Sequence, residues 1–87
     1  MNAEKRVKMY TLSTCGYCKS AKAFMHANDI QFDYIDVDLL DTEEKRRVLR
    51  EARAIAKMDR ISFPLVVIGE TVIVGFKEYE IRKALGL

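Results

Sequence analysis

The stretch Arg6-Val7-Lys8-Met9-Tyr10-Thr11-Leu12-Ser13-Thr14-Cys15-Gly16-Tyr17-Cys18 runs a strand pattern straight into the start of a helix pattern, with two cysteines at the junction. Over Arg6–Leu12, Val7, Met9 and Thr11 alternate with Lys8, Tyr10 and Leu12, which is the period of a strand. Tyr10 and Leu12 are apolar too, so both faces of this strand are expected to be covered, as in the middle of a sheet. Ser13 and Thr14 are loop and helix N-cap types. From Tyr17 to about Asn28, Ala21, Phe24 and Met25 recur at helical spacing, with Lys19 and Lys22 on other faces. A helix opening carries unpaired N–H groups and the positive end of a dipole, and a thiolate placed there is stabilised. A second thiol one turn later lies close enough to close a disulfide. The pattern thus supplies an activated sulfur nucleophile and a resolving thiol together.

Outward from this junction the chain alternates elements. Asn28-Asp29 ends the first helix, and Phe32–Val37 reads as a second strand, with Phe32, Tyr34 and Asp36 on one face and Ile35 and Val37 on the other. A helix-length crossover between two strands makes a right-handed βαβ unit with parallel strands. Asp41 or Thr42 caps a second helix, with Glu43 and Glu44 in its first turn to suit the dipole. Val48, Leu49, Ala52, Ile55 and Ala56 form its apolar stripe, and Glu43–Arg47 is expected to pair at i,i+4. Arg46, Arg50, Arg53 and Lys57 form a positive row, either a solvated face or a surface that steers an acidic partner. Pro64 opens Leu65–Ile68, Gly69-Glu70 turns the chain, and Thr71–Val74 completes a hairpin. Lys77–Leu85 is the last helix and Gly86 its C-terminal cap. The order is β-α-β-α-β-β-α.

The whole chain, 87 residues, reads as one domain over 1–87, without repeat, linker or low-complexity segment. A chain this small buries a little over ~60% of the surface that its unfolded form exposes. About half of its residues are apolar, enough for an economical core. The formal charge of +2 is too small to argue for nucleic acid or an anionic membrane, and no base-reading motif is present. The polar, basic opening Met1–Lys8 is followed by no apolar h-region, and no apolar run approaches the ~18 residues of a spanning helix, so the expected location is the cytoplasm. There, a lone Cys-x-x-Cys on a βαβ pattern points to redox or metal chemistry rather than to a structural staple. A four-ligand zinc site needs two more ligands. His26 is the only histidine and is expected at the surface, so no metal site is expected.

With Cys-x-x-Cys after the first strand and a proline opening the third, the chain resembles the thioredoxin fold. More narrowly it is similar to the glutaredoxin family. The residues that carry the likeness are Tyr10-Thr11-Leu12-Ser13-Thr14-Cys15-Gly16-Tyr17-Cys18, Phe63-Pro64 and Val74-Gly75-Phe76. The resemblance implies an α/β, thioredoxin-like fold: a four-stranded mixed sheet flanked by three helices. It also assigns Cys15 as nucleophile and Cys18 as resolving thiol. Two positions depart from the glutathione-dependent members. Leu12 stands where those proteins usually carry a basic residue, and Val74-Gly75-Phe76-Lys77-Glu78 replaces their Gly-Gly pair and the small or acidic residues after it. The Gly-Phe-Lys run is similar instead to NrdH-type redoxins, which take electrons from thioredoxin reductase and reduce ribonucleotide reductase.

The likeness implies a cis Pro64 facing the cysteines, with the Phe63 N–H and C=O turned outward to pair with an extended substrate segment. Gly16 leaves the backbone free to turn into the helix. Tyr17 either offers an exposed ring for substrate packing or folds onto its own helix. Gly75 permits close approach of backbone or ligand. Phe76 is either an apolar wall for a protein partner or core. Lys77 either places a charge near the groove or is an ordinary helix-start lysine, and Lys19 either favours the thiolate through space or is an ordinary surface residue. The expected function is dithiol thiol–disulfide exchange on protein or small-molecule disulfides, by a monomer with no tightly bound cofactor. A thioredoxin-reductase-like protein or glutathione would be the donor. The competing reading is an iron–sulfur cluster or metal carrier using Cys15.

Overall fold

A computed structural model describes residues 6–87 of the chain. The first five residues of the Met1–Lys8 opening, and the expectation attached to them, lie outside the described residues. The expected order appears: β1 (Val7–Thr11), α1 (Gly16–Ala27), β2 (Asp33–Asp36), a short 3-10 turn (Val37–Leu39), α2 (Thr42–Ala56), β3 (Leu65–Ile68), β4 (Thr71–Val74) and α3 (Glu78–Leu85). The four strands form one mixed sheet in the order β2-β1-β3-β4. β1 and β2 run parallel with Met9 opposite Tyr34, and β3 lies antiparallel to β1 with Val66 opposite Met9. β4 closes the hairpin with Val74 opposite Leu65.

Alternation along the strands builds a core on each face of the sheet. Val7, Met9, Val66, Ile68 and Ile73 face one way, onto Ala21 and Met25 of α1 and Ile81 and Leu85 of α3. Tyr10 and Leu65 face the other way, onto Val37 and onto Val48 and Ala52 of α2. The central position of β1 explains why it lacks a clean polar face. This is the thioredoxin-like fold: a four-stranded mixed sheet with α1 and α3 on one side and α2 on the other.

Several boundaries differ from the sequence reading. β1 ends at Thr11, because the Leu12 N–H leaves the ladder and points to the Cys18 sulfur at 3.5 Å. β2 is shorter than Phe32–Val37, because the 3-10 turn begins at Val37, whose side chain is buried in the second core. Neither Ser13 nor Thr14 caps α1; Cys15 does, its sulfur accepting the Cys18 N–H. Asp41 is the cap of α2, accepting the Glu44 N–H at 2.9 Å. Arg47 pairs with Glu44 rather than with Glu43, since i,i+3 and i,i+4 neighbours are equally within reach on a helix. Of the positive row, Arg46, Arg50 and Lys57 are exposed and Arg53 is half-buried. Among the described residues no helix is long and apolar enough to cross a membrane.

Candidate active site

β1 delivers the chain to the end of the sheet, and α1 starts there. Cys15 has extended backbone, φ −87° and ψ 121°, and Gly16 is the first helical residue. The Cys15 sulfur therefore hangs over the open end of α1, where the Cys18 N–H donates to it at 3.2 Å. The Cys15 carbonyl accepts the Lys19 N–H at 3.1 Å and so closes the first turn. Cys15 is half-buried and Cys18 fully buried, and both are free thiols. Loss of hydration, followed by the hydrogen bond with Cys15, pushes the Cys18 thiol up to about 12; the Leu12 N–H and the Lys22 charge oppose this. One sulfur thus meets solvent at a helix N-terminus while its partner waits behind it as a neutral thiol. The two sulfurs are told apart by burial.

The other strand ends gather at the same place. The Phe63–Pro64 peptide bond is cis, as the resemblance implies. The Phe63 carbonyl oxygen lies 3.8 Å from the Cys15 sulfur. Pro64 is buried, and its carbonyl accepts the Gly75 N–H at 2.7 Å. Cys15, Phe63, Pro64 and Gly75 therefore form one connected wall. Gly75 has φ +93°, and a Cβ there would meet nothing within 4 Å. Its glycine answers a backbone conformation, not the crowding of a neighbouring backbone. Gly16 is different: it is an ordinary first-turn residue in open space, and no unusual backbone angle requires glycine there.

Tyr17 is 71% exposed, so its ring does not fold onto its own helix. Phe76 is half-buried and packs edge-on against Phe24, ring centres 6.1 Å apart, with the first core. Lys77 is the exposed N-cap residue of α3 and makes no side-chain cap bond. His26 is exposed, edge-on to Phe32 at 5.2 Å. The lysine whose charge favours the Cys18 thiolate is Lys22, not the exposed Lys19 that follows it. Among the described residues no three metal-ligating side chains come together.

Two aspartates to which the sequence reading gave no role at the site hold the approach to the thiols. Asp38, in the 3-10 turn, accepts the Ser13 N–H at 2.8 Å and the Ser13 hydroxyl at 2.5 Å. These bonds hold the Asp38 carboxyl below its ordinary value, the hydroxyl contributing most. Asp36, at the end of β2, accepts the Thr11 hydroxyl at 2.6 Å and the Lys22 ammonium at 3.1 Å. The signal was present as a matched spacing: Thr11 and Ser13 two apart on one segment, Asp36 and Asp38 two apart on its parallel neighbour.

A solvent-facing thiol at a helix opening, backed by a buried one and walled by a cis-proline loop, defines a redox protein of the thioredoxin-like class. The Glutaredoxin family model matches residues 7–73, and the chain belongs to the glutaredoxin family. It is 32% identical over 79 residues to a glutaredoxin-like 8.6 kDa protein in the rubredoxin operon of Clostridium pasteurianum, covering 91% of this chain and 96% of that one. The solved glutaredoxin of Methanosarcina mazei shares 40% identity at a TM-score of 0.79, over 94% of this chain and 79% of that one. Methanoredoxin of Methanosarcina acetivorans shares 36% identity at a TM-score of 0.81, over 94% of this chain and 85% of that one.

Proposed function

We propose that the protein is a dithiol thiol–disulfide oxidoreductase that reduces protein or small-molecule disulfides through a Cys15–Cys18 couple. The observation that carries this reading is the asymmetry of the two sulfurs: Cys15 half-buried at the helix N-terminus, Cys18 fully buried behind it. Cys15 attacks a substrate disulfide to form a mixed disulfide, and Cys18 then displaces the reduced substrate. The open side of the site, with the exposed Tyr17 and the wall of Phe63, Pro64 and Gly75, receives the substrate segment, while Phe76 packs on Phe24 in the first core. The chain works as a cytoplasmic monomer without a tightly bound cofactor. A protein reductase of the thioredoxin-reductase type supplies the electrons. That part rests on Leu12 and on Phe76-Lys77-Glu78, which lack the groups that glutathione-dependent members use to grip glutathione.

The test is reduction of the Cys15–Cys18 disulfide by two donor systems, thioredoxin reductase with NADPH and glutathione with its reductase. Reduction by the protein reductase alone, abolished in Cys15→Ser, is the expected result. Reduction by glutathione at a comparable rate would overturn the donor assignment and leave the dithiol couple intact. Failure of the two thiols to form an intramolecular disulfide under a mild oxidant would overturn the couple itself.

A further inference from the structure

The resolving step needs a Cys18 thiolate, yet Cys18 is buried away from water. Few charged groups face it. β3 and β4 carry no charged side chain. On β1, Lys8 and the Tyr10 hydroxyl turn to Glu51 of α2. Asp38 is engaged by Ser13, Lys19 is exposed, and Arg82 of α3 pairs with Glu78. Of the charges acting on Cys18, that of Cys15 disfavours its thiolate and that of Lys22 favours it.

Lys22 stands four residues after Cys18 on α1, the spacing that brings helical side chains together. It is not a free surface lysine. Its ammonium lies 3.1 Å from Asp36 and 3.9 Å from the centre of the Tyr34 ring, and its side chain is only 20% exposed. Asp36, 16% exposed, is shared between Lys22 and the Thr11 hydroxyl. Asp36 offsets part of the Lys22 charge but fixes the ammonium in one place, and a partly buried cation is screened less by solvent than a mobile, hydrated one.

We propose that Lys22, pinned by Asp36 and the Tyr34 ring, is a positioning residue for the second half of the reaction, its ammonium favouring the Cys18 thiolate and so setting the rate at which a mixed disulfide on Cys15 is resolved. The inference rests on the dithiol reading above. In the step concerned, Cys18 loses its proton to solvent and its thiolate attacks the Cys15 sulfur. The Cys15–Cys18 bond forms as the bond from Cys15 to the substrate sulfur breaks, and the substrate leaves as a thiolate. Over the two steps, two electrons pass from the protein dithiol to the substrate disulfide.

The experiment mixes the reduced protein with one equivalent of dithiobis(nitrobenzoate) in a stopped-flow instrument. One coloured thiolate is released when Cys15 attacks the reagent and a second when Cys18 displaces the bound half. In Lys22→Met the first release keeps its rate. The second slows about threefold at neutral pH and its pH profile moves upward, the loss of thiolate being partly offset by the greater nucleophilicity of a thiolate with a higher pKa. Lys22→Arg restores both, because the charge is kept. Should Lys22→Met fail a thermal-unfolding check, Lys22→Gln takes its place. A direct titration of thiolate absorbance in Cys15→Ser, with and without Lys22→Met, is expected to show the same upward move for Cys18. An unshifted second release, an equal slowing of both releases, or a Lys22→Arg variant as slow as Lys22→Met would each overturn the role. A wild-type protein that gives the first release and never the second would instead overturn the dithiol reading, and this inference with it.

Discussion

Two glycines beside the thiols illustrate how the same residue type serves different ends. Gly75 sits at φ +93° in open space, so a side chain there meets no atom but forces an unfavourable backbone. Gly75→Ala is expected to cost about 1–2 kcal/mol, the usual penalty for a left-handed L-residue. In a thermal melt this would lower the midpoint by several degrees; an unchanged midpoint would mean that the loop relaxes without cost. Gly16 occupies the first position of α1, where a missing N–H does no harm, and Cys15 before it is already extended. Gly16→Pro is therefore expected to stabilise the protein by roughly 0.4–1 kcal/mol, through loss of freedom in the unfolded chain. Chemical denaturation reads both changes. That both positions held glycine was legible in the sequence. That only one of them needs it was not, because the backbone angle is set by the Pro64–Gly75 contact between two strand ends.

Neighbouring segments, rather than single residues, hold the thiol loop in place. Thr11 donates to Asp36 across the parallel β1–β2 pair, and Ser13 donates to Asp38 in the 3-10 turn just beyond it, so the chain leading to Cys15 is strapped twice. Asp38→Ala removes the outer strap. It is expected to speed hydrogen exchange at the Ser13 amide and to slow attack by Cys15 severalfold, while the α2 and β3 amides keep their protection. Equal loss of protection across the sheet would show that Asp38 supports the fold at large instead. Because the Asp38 carboxyl is held below its ordinary value near 3.8, the strap is fully formed above that pH and is lost as pH falls through the lowered value. Element ends, by contrast, were largely readable. Asp41 as the cap of α2 and Gly86 as the cap of α3 stand where their residue types place them. Ser13 and Thr14, loop and cap types by sequence, form the turn before α1, and a cysteine sulfur takes the cap position that a hydroxyl usually fills.

Across the molecule, the sheet is tied to α2 by a polar link that emerges from the second core. Tyr10 is fully buried, yet its hydroxyl reaches Glu51 at 2.6 Å, and Lys8 approaches the same carboxylate oxygen at 3.5 Å. The Tyr10 hydroxyl, and then the Lys8 charge, hold the Glu51 carboxyl below its ordinary value near 4.5. A lowered value means that this link stabilises the fold above the ordinary value and is lost as pH falls through the folded-state one. Glu51→Gln is therefore expected to reduce stability at neutral pH by a fraction of a kcal/mol, the side chain being 40% exposed and partly screened by solvent. The difference should vanish toward acid; a gap that persists in denaturation curves at pH 3 would show that the loss lies in packing and not in charge.

Alternation, helical spacing, caps and the cysteine pair are properties of neighbours along the chain, so the order of elements, the two-faced core and the placement of Cys15 and Cys18 at a helix opening were determined by the sequence alone. The inward packing of Phe76 on Phe24, the grip of Asp38 on Ser13 and the pinning of Lys22 by Asp36 were decided only by the tertiary structure. Ser13 and Asp38 stand 25 residues apart, and they meet because two strands adopt one register. Local periodicity says which face a residue takes; register and the docking of helices on the sheet decide what it meets there.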